Sequence, residues 1–163
     1  MKSITAALLA ITATAGLSPA QAQDAAAPQK APAAVAQNSV VGPALYVTDI
    51  ERSVRFYRDV LGMTVKMRYG PAGKEDVVLG FGPDPRQLGL MLLSDKTGPN
   101  PRKIEHGHGF DRFAVNVTDL ARVQQRMKAA GMPAAEIRKA HGTVLVMMTT
   151  DPDGYTVEVT QVG

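Results

Sequence analysis

The chain has 163 residues, with 18 Lys and Arg against 15 Asp and Glu, no Cys and no Trp. That is one domain's worth of chain, and 45% hydrophobic with 20% charged residues excludes wholesale disorder. The net charge of +3 is spread without a Lys/Arg block, which points away from nucleic acid, and the missing Cys excludes disulfides, zinc ribbons, Fe–S clusters and thiol nucleophiles.

The composition changes along the chain. Residues 1–22 read as a secretory signal peptide. Lys2 is the positive start, Ile4 to Leu17 is uncharged and apolar, and Ala20-Gln21-Ala22 is a small-x-small cleavage pattern. The apolar run is too short to cross a bilayer core of about 30 Å, so no stable membrane anchor is expected after processing. No Cys follows it, which excludes a lipoprotein. The expectation is a periplasmic or secreted protein, cleaved near Ala22. Residues 23–39 are rich in Ala, Gln and Pro and read as a flexible tether. Every aromatic lies between Tyr46 and Tyr155, so the folded domain is 40–163.

Within it a strand is expected over 40–47, followed by a helix. Thr48 and Glu51 read as its capping box. Ile50, Val54, Tyr57 and Leu61 make one apolar face, and Gly62 sits at the left-handed C-cap. Strands follow at 63–69, 75–82 and 87–94. The 95–109 loop is long for a compact domain, as a lid or mouth segment is. A strand at 110–117 precedes a second helix striped by Leu120, Val123, Met127 and Ala130 and stopped by Gly131. Strands at 133–139, 142–149 and 154–161 complete the chain, with Asp151-Pro152-Asp153-Gly154 as the turn before the last.

The two halves repeat. Val47-Thr48-Asp49-Ile50-x-Arg52 returns 70 residues later as Val117-Thr118-Asp119-Leu120-x-Arg122, and each copy ends in Gly-Met. Each copy is strand–helix–strand–strand–strand. The fold class is therefore α+β, with two βαβββ modules at about 40–95 and 109–163.

This pattern resembles the vicinal oxygen chelate superfamily of glyoxalase I, bleomycin-resistance proteins and extradiol dioxygenases. The resembling stretches are YVTDIERSVRFYRDVLGM (46–63), GFDRFAVNVTDLARVQQRMKAAGM (109–132) and DPDGYTVEV (151–159). The resemblance implies two half-barrels around a shared cavity. It also implies a divalent metal held by one ligand on the first and fourth strand of each module. Counted onto this chain, those positions are Gly42, Met91, Arg112 and Glu158. Only Glu158 is a metal ligand. Leu90 and Leu92 flank Met91, and Asp111 is the only donor near Arg112, so a slip of one residue does not restore the set. No metal and no other cofactor is expected there. A competing, unorthodox site would use His106 and His108 with Asp111 or Glu158.

The inner face implied by the family position of Glu158 would carry Thr156 and Thr160. Gly42, Ala44, Tyr46, Gly89, Met91 and Leu93 would line it with Met147 or Met148, Asn116 and His108. Such a lining suits a small, possibly anionic, organic ligand. Arg112 needs a counter-charge if buried. Pairing with Glu158 is expected, with Arg112 as anion holder and Glu158 as general base. A self-satisfied pair that does no chemistry is the plain alternative.

His141 reads as a surface residue and Tyr57 as core. Arg52, Arg55 and Arg58 read as a solvated helix face. No serine sits in a nucleophile elbow and no phosphate loop appears. Three readings stand in order: a small-molecule binder, a metal-independent lyase or isomerase, and a metal-dependent glyoxalase I-like lyase. Family members commonly pair modules across a two-fold axis, which implies a homodimer.

Overall fold

A computed structural model describes residues 40–94, 103–133 and 135–163. The signal-peptide and tether readings, and the first part of the 95–109 loop, lie outside the described residues. No helix among the described residues is long and apolar enough to cross a membrane.

Each module is a four-stranded sheet with a helix. Module one runs β1 (Ala44–Val47), α1 (Ile50–Arg55), β2 (Thr64–Tyr69), β3 (Asp76–Gly80) and β4 (Leu90–Ser94). Module two runs β5 (Phe113–Asn116), α2 (Leu120–Ala129), β6 (Arg138–Lys139), β7 (Leu145–Thr150) and β8 (Thr156–Gln161). The sheet orders are β1-β4-β3-β2 and β5-β8-β7-β6. The first and fourth strands pair in parallel, and the others are antiparallel. A parallel pair needs a crossover, and the helix is part of the connection in both modules. The expected α+β architecture of two βαβββ modules is what the chain adopts.

Alternation decides which face is buried. On β1, Leu45 and Val47 are buried while Ala44 and Tyr46 are exposed. Leu45, Val47, Val77, Leu79, Leu90 and Leu92 join Val54, Phe56, Tyr57, Val60 and Leu61 of the first helix. In module two, Val115, Met147, Val157 and Val159 join Leu120, Val123 and Met127. All belong to one core that runs through both modules. Each such aliphatic side chain gains about 1.5–3 kcal/mol from full burial.

The helix starts differ from the capping-box expectation. Asp49 is the N-cap of α1 and accepts from Arg52 N at 2.9 Å; Asp119 does the same for α2 from Arg122 N. Asp49 sits one residue nearer the helix and reaches the free amide first. Thr48 is left for another partner, and Glu51 pairs with Arg68 at 2.6 Å. Beyond Arg55 the first helix continues as a π-helical turn, Phe56–Val60. Gly62 (φ 83°) and Gly131 (φ 69°) provide the left-handed stops. At the second, Met132 N donates to Met127 O and Gly131 N to Lys128 O, which caps two otherwise free carbonyls.

Every strand is shorter than expected. β1 begins only at Ala44, because Gly42 takes φ 109° and Pro43 has no amide to give a ladder. β5 begins at Phe113 rather than residue 110. β6 is two residues long, and the 133–137 stretch expected as strand is irregular where described. Pro133 lies within it and cannot donate to a ladder.

Candidate functional site

Strand register assigns the faces turned away from the helices. In module one, Ala44, Met91, Val78 and Met67 form one cross-strand row. Tyr46, Leu93 and the β3–β2 pair Asp76 and Tyr69 form the next. Tyr46, Met67 and Tyr69 are 55%, 52% and 42% exposed, so this apolar face is open. Asp76 is buried in it and accepts from Ser94 N at 3.0 Å.

In module two the equivalent face is polar. Ala114, Glu158 and Met148 form one row, and Asn116, Thr160 and Val146 the next. Thr156 is two residues before Glu158 on the same face. Met91 and Glu158 each stand at the centre of the row that starts from repeat-equivalent alanines, Ala44 and Ala114. The two modules therefore present unlike walls.

Arg112 Nε donates to Glu158 Oε2 at 2.5 Å. Its Nη1 donates to Asp111 Oδ2. The expected pairing of Arg112 with Glu158 is thus present, with a second carboxylate added. The guanidinium side chain is 44% exposed and Glu158 is 22% exposed, so the cluster lies near solvent. The hydrogen bond and charge of Glu158, followed by Asp111, raise the Arg112 pKa above its ordinary value. Two carboxylates against one guanidinium leave no surplus positive charge to hold an anion.

The donor set does not fit a divalent metal. Met91 offers a thioether and Arg112 a cation already bonded to Glu158. Gly42 has no side chain, and none fits: a Cβ built there would lie 2.1 Å from Gly89 O. The φ of 109° adds strain for any L side chain. The backbone just before β1 thus leaves no room for a ligating side chain at Gly42. His106 Nε2 is 2.9 Å from Asp153 O, and its ring packs edge-on against Tyr155 with centroids 4.7 Å apart. His108 and His141 are exposed. Among the described residues no group of three or more His, Cys, Asp and Glu could hold a metal ion.

The structure brings together most of the remaining candidates, by module. Tyr46, Met91 and Leu93 share the apolar wall; Asn116, Thr156 and Glu158 share the polar one. Met147 does not join them. It is fully buried in the core, on the opposite face of β7, and Met148 takes the place beside Glu158. Met148 also lines a cavity of about 230 Å³ with Met132, Pro133, Ala135, Thr149 and Thr150.

The two modules are joined through polar residues to which the sequence pattern gives other roles or none. Asp153 Oδ1 accepts from Thr48 N (3.1 Å), Thr48 Oγ1 (2.5 Å) and Arg52 Nη2 (2.8 Å), and Oδ2 accepts from Ser53 Oγ (2.9 Å). Asp151 Oδ1 accepts from Asp153 N and Tyr155 N, and Oδ2 from Tyr57 Oη. Tyr155 Oη donates to Tyr46 O at 3.0 Å, which ties β1 to the residue that leads into β8. Arg52 is thus a joint residue rather than part of a solvated face. A serine and a tyrosine one turn apart on an apolar stripe were the available signal, since buried hydroxyls need acceptors.

The family model of the Glyoxalase/Bleomycin resistance protein/Dioxygenase superfamily matches residues 37–159. A lactoylglutathione lyase of Arabidopsis thaliana is 31% identical over 124 residues, 72% of this chain, and this chain spans only 42% of that relative. A lactoylglutathione lyase of Neisseria meningitidis is 30% identical over 123 residues, covering 72% of this chain and 86% of the relative. A glyoxylase/bleomycin resistance protein/dioxygenase domain from Frankia superposes with a TM-score of 0.58 at 18% identity, over 78% of this chain and 94% of that one.

Proposed function

Because the chain belongs to the Glyoxalase/Bleomycin resistance protein/Dioxygenase superfamily, we propose that it binds a small organic molecule on the outward faces of its sheets, without the divalent metal. The observation that carries this reading is the Arg112–Glu158 hydrogen bond of 2.5 Å, at two positions where the resemblance implies metal ligands. The pair supplies a positive group and a carboxylate without a metal. The Tyr46, Met91 and Leu93 wall supplies apolar contact, which carries most small-ligand affinity.

The test is a fragment titration followed by NMR on the wild type, Arg112→Ala and Glu158→Gln. Binding that perturbs Tyr46 and Glu158 resonances, and weakens in both variants, supports the reading. Full affinity in both variants sinks it. Equilibration with Ni, Zn or Mn checks the metal half: tight stoichiometric uptake involving Glu158 overturns it.

A lyase is the second reading, favoured by the names of the two relatives. In a metal-independent form Glu158 would take up a proton as general base, and Arg112 Nη2 would donate a hydrogen bond to a substrate oxygen. A metal-dependent form would need donors that Gly42, Met91 and Arg112 do not supply. Assaying lactoylglutathione turnover with and without added metal separates these forms.

The same reading includes export and a homodimer. The apolar run before Ala20-Gln21-Ala22 supports export, and N-terminal sequencing of protein recovered outside the cytoplasm tests it. The open apolar face at Tyr46 and Met67 supports a second copy as cover, which sedimentation equilibrium tests.

A further inference from the structure

We propose that the open edge of β7, beside the connection from α2 to β6, is a second binding site. Its ligand is a short, uncharged, extended peptide with small side chains. Register fixes which backbone groups face that edge. Val117 N donates to Thr160 O, so Thr156, Glu158 and Thr160 direct their amides and carbonyls towards β5. Val157, Val159 and Gln161 therefore bond to β7 through Thr149, Met147 and Leu145. Val146, Met148 and Thr150 face the opposite edge, in keeping with the bond from Ala140 N to Val144 O on that side. β6 covers this edge only at Leu145 and Val146. Among the described residues, no backbone bond joins Met148 or Thr150 to Pro133 or to residues 135–137. Two amide donors and two carbonyl acceptors thus face an edge without a neighbouring strand.

The cavity of about 230 Å³ lies against this edge. Met148 and Thr150 alternate with Thr149, which is buried on the core face, so a cavity that touches all three sits beside the strand rather than above one face. Met132, Pro133 and Ala135 form the far wall. That wall is not free to pair as a strand. Pro133 has no amide, and Ala135 O accepts from Gln124 Nε2 at 2.8 Å, which holds it to α2. No lining residue is charged, so an ionic group on the ligand meets no partner there. The methionines and the proline supply apolar contact, and the open amides and carbonyls supply direction. An extended peptide laid antiparallel continues the ladder that β6 begins and exchanges both bonds with Met148 and both with Thr150. Its first and third residues make these four bonds, and the second directs its amide away from β7. Thr150 and Pro133 are exposed, so the ends of the peptide reach solvent. The site lies on the far side of β7 from Glu158 and does not depend on the small-molecule reading.

The test is a titration of N-acetyl-trialanine N-methylamide into the full chain, followed through the backbone amide resonances by NMR. Saturable shifts at Met148 and Thr150 are expected, with Tyr46 and Glu158 unmoved. Lactate in place of the third alanine puts an ester oxygen where the N–H reaches Met148 O. It should weaken binding about fivefold, the worth of one net hydrogen bond. Lactate in the second position leaves all four bonds in place and should change affinity by less than about twofold. Ala135→Leu fills the cavity from the far wall and should abolish the shifts. Thermal melting checks that this variant folds, and the ester pair tests the site in the wild type if it does not. The absence of saturable shifts at Met148 and Thr150 overturns the proposal, and so does equal weakening by the two esters. Shifts at Tyr46 or Glu158 alone overturn it too, and assign the peptide to the surface proposed above for small molecules.

Discussion

Tyr57 Oη donates a 2.7 Å hydrogen bond to Asp151 Oδ2, and this buried contact links the first module's helix to the second module's turn. The ring is fully buried, with Phe113 of module two 6.2 Å away between centroids. Tyr57→Phe keeps the ring and leaves Asp151 Oδ2 without that donor. It should cost about 1–3 kcal/mol in urea denaturation, the penalty for an unpaired buried acceptor. A loss below about 0.5 kcal/mol would show that water repairs the contact.

Asp153 holds more of the joint. Its carboxylate accepts four hydrogen bonds from Thr48, Arg52 and Ser53 and its side chain is only 2% exposed. Asp153→Ala should destabilise by about 3–5 kcal/mol, because Arg52 loses its carboxylate and two hydroxyls lose their acceptor. Asp59→Ala removes an exposed carboxylate bonded only to neighbouring Arg58 and should shift stability by less than about 1 kcal/mol. Equal effects would mean that the joint contributes little.

Asp151 gives the pH dependence a definite sign. Burial is the largest influence and raises its pKa, while hydrogen bonds from Tyr57 and from the Tyr155 and Asp153 amides oppose it. A carboxyl with a raised folded pKa binds its proton more readily folded than unfolded. The folded state therefore gains stability as pH falls towards the unfolded value near 3.8. Asp59 and Asp84 are lowered by Arg58 and Arg86 and act in the opposite direction. They are common to wild type and Asp151→Asn, so they cancel in the difference. The stability of wild type relative to Asp151→Asn should rise as pH is lowered from neutrality. Denaturant midpoints at several pH values measure this; a flat difference would refute it.

Gly42 resists replacement by any larger residue. Gly42→Ala should cost at least about 2 kcal/mol, since its Cβ meets backbone Gly89 O at 2.1 Å with φ at 109°. Gly42→His should be no better and should gain no tight metal. Thermal melts and metal analysis of the two variants check both halves.

The fold was legible because two periodicities alternate twice along the chain, and the Val-Thr-Asp repeat marks the same junction in each copy. The Arg112–Glu158 pair was legible from charge balance once the family resemblance placed the two side by side. Asp111 was seen only as a stray donor, since its reach to Arg112 depends on the rotamer of an exposed side chain. The sequence leaves Met147 and Met148 as alternatives because two adjacent methionines fit either register of β7, and only the pairing of Met148 with Glu158 decides between them. The joint was hidden for another reason: hydrogen bonds between residues about a hundred positions apart leave no local pattern.

That separation constrains how the protein is made. Thr48 and Asp153 are 105 residues apart, so the joint closes only after both repeats have been synthesised. Until then the hydroxyls of Ser53 and Tyr57 have no acceptor from the turn at Asp151 and Asp153.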